Sequence, residues 1–213
     1  GYCQGNFNSD NCAAGGFTLD YGPFGFIEMF DPKFQPWTSG GMHFSFFNQP
    51  LAAQKNFKSF CSSLKPLLNS NKKALEELEE IENNFAKVMQ EKMEKMWANK
   101  LGISKFDVEL FEELINLMIE TKVDYTIFFR ELSNIPNDIR ELEKSFYGNL
   151  KNETIISKWN NWLEKWKLLI NVNDESSKEK LSKQMKLINP KYTLREWHLV
   201  WAYQEAENGN YKP

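Results

Sequence analysis

The chain has 213 residues and a formal net charge of −3, with 41% hydrophobic residues. That length is sufficient for one substantial core, or for one core with a helical annex. The near-neutral charge gives no basic footprint for nucleic acid, and no apolar run approaches the roughly 20 residues that span a bilayer. We therefore expect neither nucleic acid nor a membrane among the partners.

Cysteines and histidines are few and scattered. Cys3, Cys12 and Cys61 show no CxxC spacing, which argues against a disulfide framework and against a structural zinc site. His43 and His198 are too isolated for a histidine-based metal site. His198 lies in an apolar helical stretch, so we expect it to pack against neighbouring side chains.

The composition changes near residue 50. Glycine and proline are concentrated in residues 1–50, where regular helix is disfavoured, and helical patterning covers almost all of the remainder. We expect a mainly α fold in two parts. Residues 1–50 hold loops and a short β-hairpin, and residues 51–213 are helical.

Helix signals follow in chain order after Asn48. Pro50 suits the first turn of a helix, because the N–H that proline lacks has no partner there. Apolar residues from Leu75 to Trp97 recur at helical spacing, and Gly102 suits a C-terminal stop. Another helix is predicted over DYTIFFRELS.

Two later helices carry possible capping boxes, one from Ser104 to Asp107 and one from Thr193 to Glu196. Gly209 lies just past the end of the second of these helices.

Trp159, Trp162 and Trp166 fall at helical spacing on one face of a further helix. They are more typical of a buried core face than of a platform on which a ligand stacks, because an amphipathic helix must bury one face.

Gly15 and Gly16 indicate a two-residue hairpin turn, because both positions of the favoured turns need positive φ. Counting outward from this turn sets Asn11 opposite Asp20. Directly opposed residues have Cβ atoms roughly 4.5–5.5 Å apart. The Asn11 amide oxygen and the Asp20 carboxylate would then lie close together, and such groups are suitable ligands for Mg²⁺. Asp10 would remain free of the metal and could accept a proton.

Other interpretations of these residues stay open. Asn and Asp beside glycine are also ordinary turn formers. A calcium loop fits less well, since the DxDxDG spacing is absent.

The order of these residues can also be compared with protein kinases, in which H-R-D-x-x-x-x-N precedes a short hairpin and D-F-G, and the Asn and last Asp hold Mg²⁺. Asn11 is then the catalytic-loop Asn, and Asp20-Tyr21-Gly22 is the D-F-G equivalent. In this alignment Gln4 replaces the His, Gly5 replaces the Arg and Asn6 replaces the catalytic Asp. The metal ligands are kept and the kinase base is lost. An ordinary kinase is disfavoured, and Asp10 is the replacement base.

Several motifs together resemble the selenoprotein O family, a kinase-like fold that transfers AMP in place of phosphate. The similarity runs from residue 1 to about residue 208 and rests on QGNFNSDN, DYGPFG, SFFNQP, VDYTIFFRELS and NPKYTLREW. DYGPFG and NPKY are long and unusual, so chance agreement is disfavoured.

The resemblance implies the C-lobe portion of a protein-kinase-like fold followed by a helical extension. It implies that Asp10 is the proton acceptor, that Asn11 and Asp20 hold Mg²⁺ or Mn²⁺, and that Asp20 thereby contacts the cofactor. ATP and proteins with Ser, Thr or Tyr hydroxyls would be the substrates, and pyrophosphate would leave. The location implied is mitochondrial for a eukaryotic protein and cytoplasmic for a bacterial one.

The chain departs from the family pattern in several ways. Gln4 replaces the usual His, and a neutral amide can still anchor the loop. Patterns for the glycine-rich region, the phosphate-binding Lys and Arg residues and the C-terminal Cys or selenocysteine are missing. We therefore expect a fragment that is inactive without the N-terminal lobe of the same protein. A non-catalytic helical module that binds another protein is the alternative.

Overall fold

The computed structural model describes residues 1–17, 22, 24–37, 39–148 and 150–212. The regular elements of these residues are β1 Tyr2–Cys3, β2 Gly25–Phe26, α1 Gln49–Leu68, α2 Lys72–Leu101, α3 Val108–Thr121, α4 Tyr125–Leu132, α5 Glu153–Leu169, α6 Glu175–Ile188 and α7 Glu196–Glu207. β1 pairs with β2 in a two-stranded sheet. The expectation of a mainly α fold is confirmed. None of the helices in the described ranges is both long and apolar enough to traverse a bilayer.

Contacts within the chain group its residues into two compact units. The loop unit contains Tyr2–Gly25 and Pro32–Met93. The helical unit contains Gly1, Phe26–Asp31 and Glu94–Pro213. α2 contributes residues to both units.

The predicted boundaries of α1 and α2 are confirmed. Pro50 lies in the first turn of α1, and α2 ends one residue before Gly102. Gly102 has φ +68°, and a Cβ atom at this position would lie 2.6 Å from the Met185 sulfur. Any other residue would therefore meet both backbone strain and a steric clash at the end of α2.

Both predicted capping boxes were wrong. Asp107 is itself the N-cap of α3, since its side chain accepts a hydrogen bond from the Leu110 N–H at 2.8 Å, and Ser104 lies outside the helix. α7 follows Arg195 as the N-cap residue, and neither Arg195 nor Thr193 caps it with a side chain. The start of α7 is fixed by a tertiary contact of Arg195 that a local sequence pattern does not reveal.

The tryptophans of α5 form the core of the helical unit. Trp159, Trp162 and Trp166 are 0%, 1% and 0% exposed. The Trp162 indole N–H donates to the Leu110 carbonyl at 2.9 Å, and the Trp166 indole N–H donates to the Leu101 carbonyl at 2.7 Å. Each buried tryptophan removes roughly 150–250 Å² from water, so these three residues stabilise the unit and are not a ligand platform.

Asn189, the first residue of NPKY, is buried and joins three segments of the helical unit. Its Nδ2 donates to the Lys100 carbonyl at 2.9 Å and to Ser133 Oγ at 3.1 Å, and its Oδ1 accepts from Lys100 Nζ at 2.9 Å. Lys100 Nζ also lies 4.5 Å from the centre of the Phe129 ring. Burial lowers the pKa of Lys100 to about 8. The motif therefore has a packing role in this unit.

His198 packs against a neighbouring side chain as expected, but it does so outside the core. His198 is exposed, and its ring centre lies 3.6 Å from that of the adjacent Trp197, which is 58% exposed. α7 has no buried residue. The apolar side chains of α7 suggested a core position, but none of them is buried.

Candidate active site in the Asp10 loop

Residues 4–12, here named the Asp10 loop, follow β1 in the loop unit. Within it Ser9–Asn11 forms a single 3₁₀ turn, in which the Asn11 N–H donates to the Asn8 carbonyl at 3.0 Å. Gly5 is buried with φ +77°, a left-handed conformation that favours glycine. The turn places Asp10 and Asn11 side by side on the exposed surface of the unit.

Asn6, at the position where a kinase carries its catalytic Asp, is used to shape the loop. Its Oδ1 accepts a hydrogen bond from Asn8 Nδ2 at 2.7 Å, and its carbonyl accepts one from Asn11 Nδ2 at 2.9 Å. Because an amide cannot take up a proton at neutral pH and this one already accepts a bond, Asn6 does not replace the kinase base.

The N-terminal side of the Asp10 loop is anchored by α1 through Gln49. Gln49 Oε1 accepts from the Gln4 N–H at 3.0 Å, and Gln49 Nε2 donates to the Tyr2 carbonyl at 3.1 Å. The Gln4 side chain accepts a hydrogen bond from the Tyr2 hydroxyl. Gln4 thus anchors the loop as expected for a neutral amide in place of histidine.

The middle and C-terminal side of the loop are anchored by Asn56, two turns further along α1. Its Nδ2 lies 3.0 Å from the Phe7 carbonyl and 3.1 Å from Cys12 Sγ. Burial raises the pKa of the Cys12 thiol, the hydrogen bond from Asn56 lowers it, and the negative charge of Asp10 raises it further. The Asp10 carboxylate is therefore close enough to Cys12 for its charge to act on the thiol.

Asp10 itself is exposed. Within the described parts of the chain, its carboxylate accepts no hydrogen bond and forms no ion pair. The backbone on both sides is held by the 3₁₀ turn and by Asn56. A carboxylate that is fixed through its backbone and has no partner for its oxygens can accept a proton from a bound substrate.

Asn11 has the features of a metal ligand. Its Nδ2 donates a hydrogen bond to the Asn6 carbonyl. Its Oδ1 accepts no hydrogen bond from residues that the structure describes. An amide oxygen of this kind suits a hard divalent cation. No group of three or more His, Cys, Asp or Glu side chains among the described residues forms a metal cluster. The second expected ligand, Asp20, lies outside the described residues.

The predicted hairpin arm that contains Asn11 includes a 3₁₀ turn. Asn11 is the last residue of that turn, and its N–H donates to the Asn8 carbonyl. The chain reverses one residue earlier than predicted, where the Gly16 N–H donates to the Ala13 carbonyl at 3.0 Å and Gly16 has φ +75°. The predicted partners of this arm, residues 18–20, lie outside the described residues.

Gln49 and Asn56 are the residues of the site that the sequence did not reveal. Gln49 belongs to the SFFNQP motif, which marked it as part of a pattern and gave it no role. Asn56 lies on α1 seven residues after Gln49, and therefore close to the same helical face. The sequence signal that could have identified them as anchors was the spacing of two amide side chains, seven residues apart, on the helix predicted after the glycine-containing loop.

Comparisons with known proteins agree with the motifs. A family model described as protein adenylyltransferase SelO matches residues 1–213. The protein nucleotidyltransferase YdiU of Aromatoleum aromaticum is 33% identical over 219 residues, and that of Flavobacterium johnsoniae is 32% identical over 224 residues. Both alignments cover 99% of this chain, and they cover 41% and 42% of the respective relatives.

The chain thus spans less than half the length of the curated relatives that it matches. Because the family model covers all 213 residues, the chain belongs to the protein adenylyltransferase SelO family.

Proposed function

We propose that this chain is the part of a protein adenylyltransferase that carries the catalytic base and the metal ligands. The unpartnered Asp10 carboxylate on an anchored loop, beside an Asn6 that cannot act as a base, is the observation that supports the proposal. In this proposal residues 1–50 carry the site. Residues 51–213 are the helical C-lobe of a kinase-like fold and its extension.

The proposed reaction transfers AMP from ATP to a Ser, Thr or Tyr hydroxyl of another protein. Asp10 accepts the hydroxyl proton, the hydroxyl oxygen forms a bond to the α-phosphorus, and the bond from that phosphorus to the bridging oxygen breaks. Pyrophosphate leaves with the electron pair. Mg²⁺ or Mn²⁺, held by Asn11 and Asp20, would neutralise charge on the phosphates.

The complete activity is assigned to a protein of the relatives' length. Those relatives are longer than the region aligned with this chain, and we propose that an N-terminal lobe in the additional region supplies the phosphate-binding Lys and Arg residues. The 213-residue chain alone would then bind ATP weakly, because one loop provides few of the charges that surround three phosphates.

A helical module that binds another protein is the second candidate function. Trp197, Trp201 and Tyr203 of α7 are 58%, 54% and 62% exposed, which favours a contact surface on that helix. An anchored carboxylate without a partner has no purpose in such a module, so we prefer the enzyme.

The discriminating experiment uses the protein at the length of its relatives, with ATP labelled on the α- or the γ-phosphate. We expect protein-bound label only from α-labelled ATP, and we expect Asp20→Ala to abolish it. Label from γ-labelled ATP would identify an ordinary kinase, and no label from either nucleotide would favour the binding module.

A further inference from the structure

The surface next to the Asp10 loop contains an open groove of about 720 Å³ within the loop unit. Asn8 and Ser9 of the Asp10 loop line one side, and residues of α1 line the other. Ser9 directly precedes Asp10, so the groove begins one residue from the proposed base. It lies on the Ser9 side of the 3₁₀ turn, whereas the proposed metal ligand Asn11 follows Asp10.

The charged side chains that line the groove, among the described residues, are two lysines. Lys55 and Lys58 lie on one flank of α1. Both lysines are exposed, and neither forms an ion pair within the described part of the chain. Among the residues that the structure describes, no aspartate or glutamate lines the groove.

This local charge differs from that of the whole chain. Between Asp31 and Glu76 the sequence contains no Asp or Glu. Lys65, Lys72 and Lys73 of this stretch form ion pairs with glutamates of α2, whereas Lys55 and Lys58 in the groove do not. The complete chain has a formal net charge of −3. A positive region on a protein that is negative overall attracts a negatively charged partner to that region.

The remaining walls suit an extended peptide. Phe44 and Ala52 form an apolar floor and are 6% and 4% exposed. Asn48 and Gln54 carry amide groups beside that floor, and such groups can donate to and accept from a peptide backbone. A phosphate group would not use the apolar floor.

We propose that this groove binds the acceptor protein through an acidic segment next to the hydroxyl that receives AMP. The inference rests on the proposed function, since it names the substrate class of the same site. The acidic side chains pair with Lys55 and Lys58, and the hydroxyl-bearing residue lies at the end of the groove beside Asp10. Neutral and basic segments lack this pairing and bind more weakly.

Binding is tested first with the 213-residue chain and no nucleotide. Three fluorescent peptides carry one serine flanked by Asp and Glu, by neutral residues or by Lys, and anisotropy gives their affinities. We expect the acidic peptide to bind about tenfold more tightly than the neutral one, because it can form two exposed ion pairs that the neutral peptide lacks. The preference should decrease at high salt.

Paired variants separate the groove from the net charge. The double variant Lys55→Glu/Lys58→Glu should weaken binding of the acidic peptide at least about tenfold. Lys87→Glu/Lys92→Glu changes the charge by the same amount on exposed residues of α2 outside the groove, and it should leave binding unchanged.

Three outcomes would overturn the inference. The first is equal affinity for all three peptides, including no binding to any of them. The second is an equal effect of the two double variants on binding. The third is displacement of the acidic peptide by pyrophosphate at concentrations below the peptide's own dissociation constant. The last outcome would assign the groove to nucleotide phosphates.

A kinetic measurement keeps the inference separate from the proposed function. In the protein of the relatives' length, Lys55→Glu/Lys58→Glu should raise KM for an acidic acceptor and leave KM for ATP unchanged. If no acceptor receives AMP, the proposed function fails, and the binding experiment without nucleotide still decides whether the groove selects acidic peptides.

Discussion

Arg195 and Asp124 form a bidentate ion pair in the helical unit, with Nη1 2.7 Å from Oδ2 and Nη2 2.9 Å from Oδ1. Their side chains are 14% and 6% exposed. Asp124 also caps α4 by accepting from the Ile127 N–H, and it accepts from the Tyr147 hydroxyl at 3.0 Å. The pair therefore connects the starts of α4, which begins within the VDYT motif, and of α7, which follows the NPKY motif.

Removal of Arg195 should destabilise the helical unit strongly, because it leaves the buried Asp124 carboxylate without its cation. We expect Arg195→Ala to lower the free energy of unfolding by about 3–5 kcal/mol. Arg195→Lys should cost less, since one of two parallel hydrogen bonds can remain. Urea denaturation followed by tryptophan fluorescence measures both values.

Arg140→Ala is the matched control for this prediction. Arg140 pairs with Asp138 and Glu153, and its side chain is 54% exposed. Exposed pairs contribute about 0–1 kcal/mol. Equal losses for Arg195→Ala and Arg140→Ala would contradict a structural role for the Arg195–Asp124 pair.

The α5 tryptophans allow a paired test of one buried hydrogen bond. Trp159 and Trp162 are equally buried, but the Trp159 indole N–H has no partner within the described residues, whereas that of Trp162 donates to Leu110. Phenylalanine removes the N–H from both and shrinks both rings. Trp162→Phe also removes the hydrogen bond to the Leu110 carbonyl, which keeps its helical bond within α3, so it should cost about 0.5–1.5 kcal/mol more than Trp159→Phe. Equal unfolding midpoints for the two variants would refute this account.

Lys100 should make stability depend on pH in the alkaline range. Its pKa is lowered to about 8 in the folded chain from 10.5, chiefly by burial. Between these values the unfolded state binds more protons than the folded state, so this residue's contribution to stability increases as pH rises. From pH 8 to 10 the gain is about 2 kcal/mol.

The gain is measured as the difference between wild type and Lys100→Met, because burial also raises the pKa values of Cys3 and Tyr125, whose titration lowers stability at high pH. Urea denaturation at several pH values between 8 and 10 gives this difference. A pH-independent difference would show that Lys100 does not titrate in this range.

Gln49 should act on catalysis by positioning the Asp10 loop. Gln49→Leu removes the hydrogen bonds to Gln4 and Tyr2. In the protein of the relatives' length, kcat for AMP transfer should fall up to about 100-fold, since a small misplacement of a catalytic group has effects of that size. KM for ATP should change little. Gln184→Leu replaces an exposed glutamine of the helical unit and should have no effect on kcat.

Much of the fold could be predicted because its signals are local. Pro50, Gly102 and the periodic apolar residues of α2 and α5 fix helix positions through backbone geometry and burial. The errors occurred where a distant residue decides the local structure. Arg195 begins α7 through Asp124, and this contact replaces the capping box predicted at Thr193.

The site was predictable in part for the same reason. Asp10 and Asn11 stood out as acid and amide side chains in a conspicuous motif. Their anchors on α1, Gln49 and Asn56, lie far away in sequence. The 3₁₀ turn at Asn11 has no signal in the glycine pattern that predicted the hairpin. The outward face of α7 could not be inferred, because its apolar composition is also typical of a buried helix.

The most direct test of the account replaces the proposed base. Asp10→Asn keeps the shape of the side chain and removes its ability to accept a proton. In the protein of the relatives' length, with α-labelled ATP and a saturating acceptor protein, we expect AMP transfer to fall about 10²–10⁴-fold with KM for ATP unchanged. Glu80→Gln, which neutralises an exposed carboxylate of α2, should retain full activity. Wild-type rates of AMP transfer in Asp10→Asn would contradict the assignment of the catalytic base to Asp10.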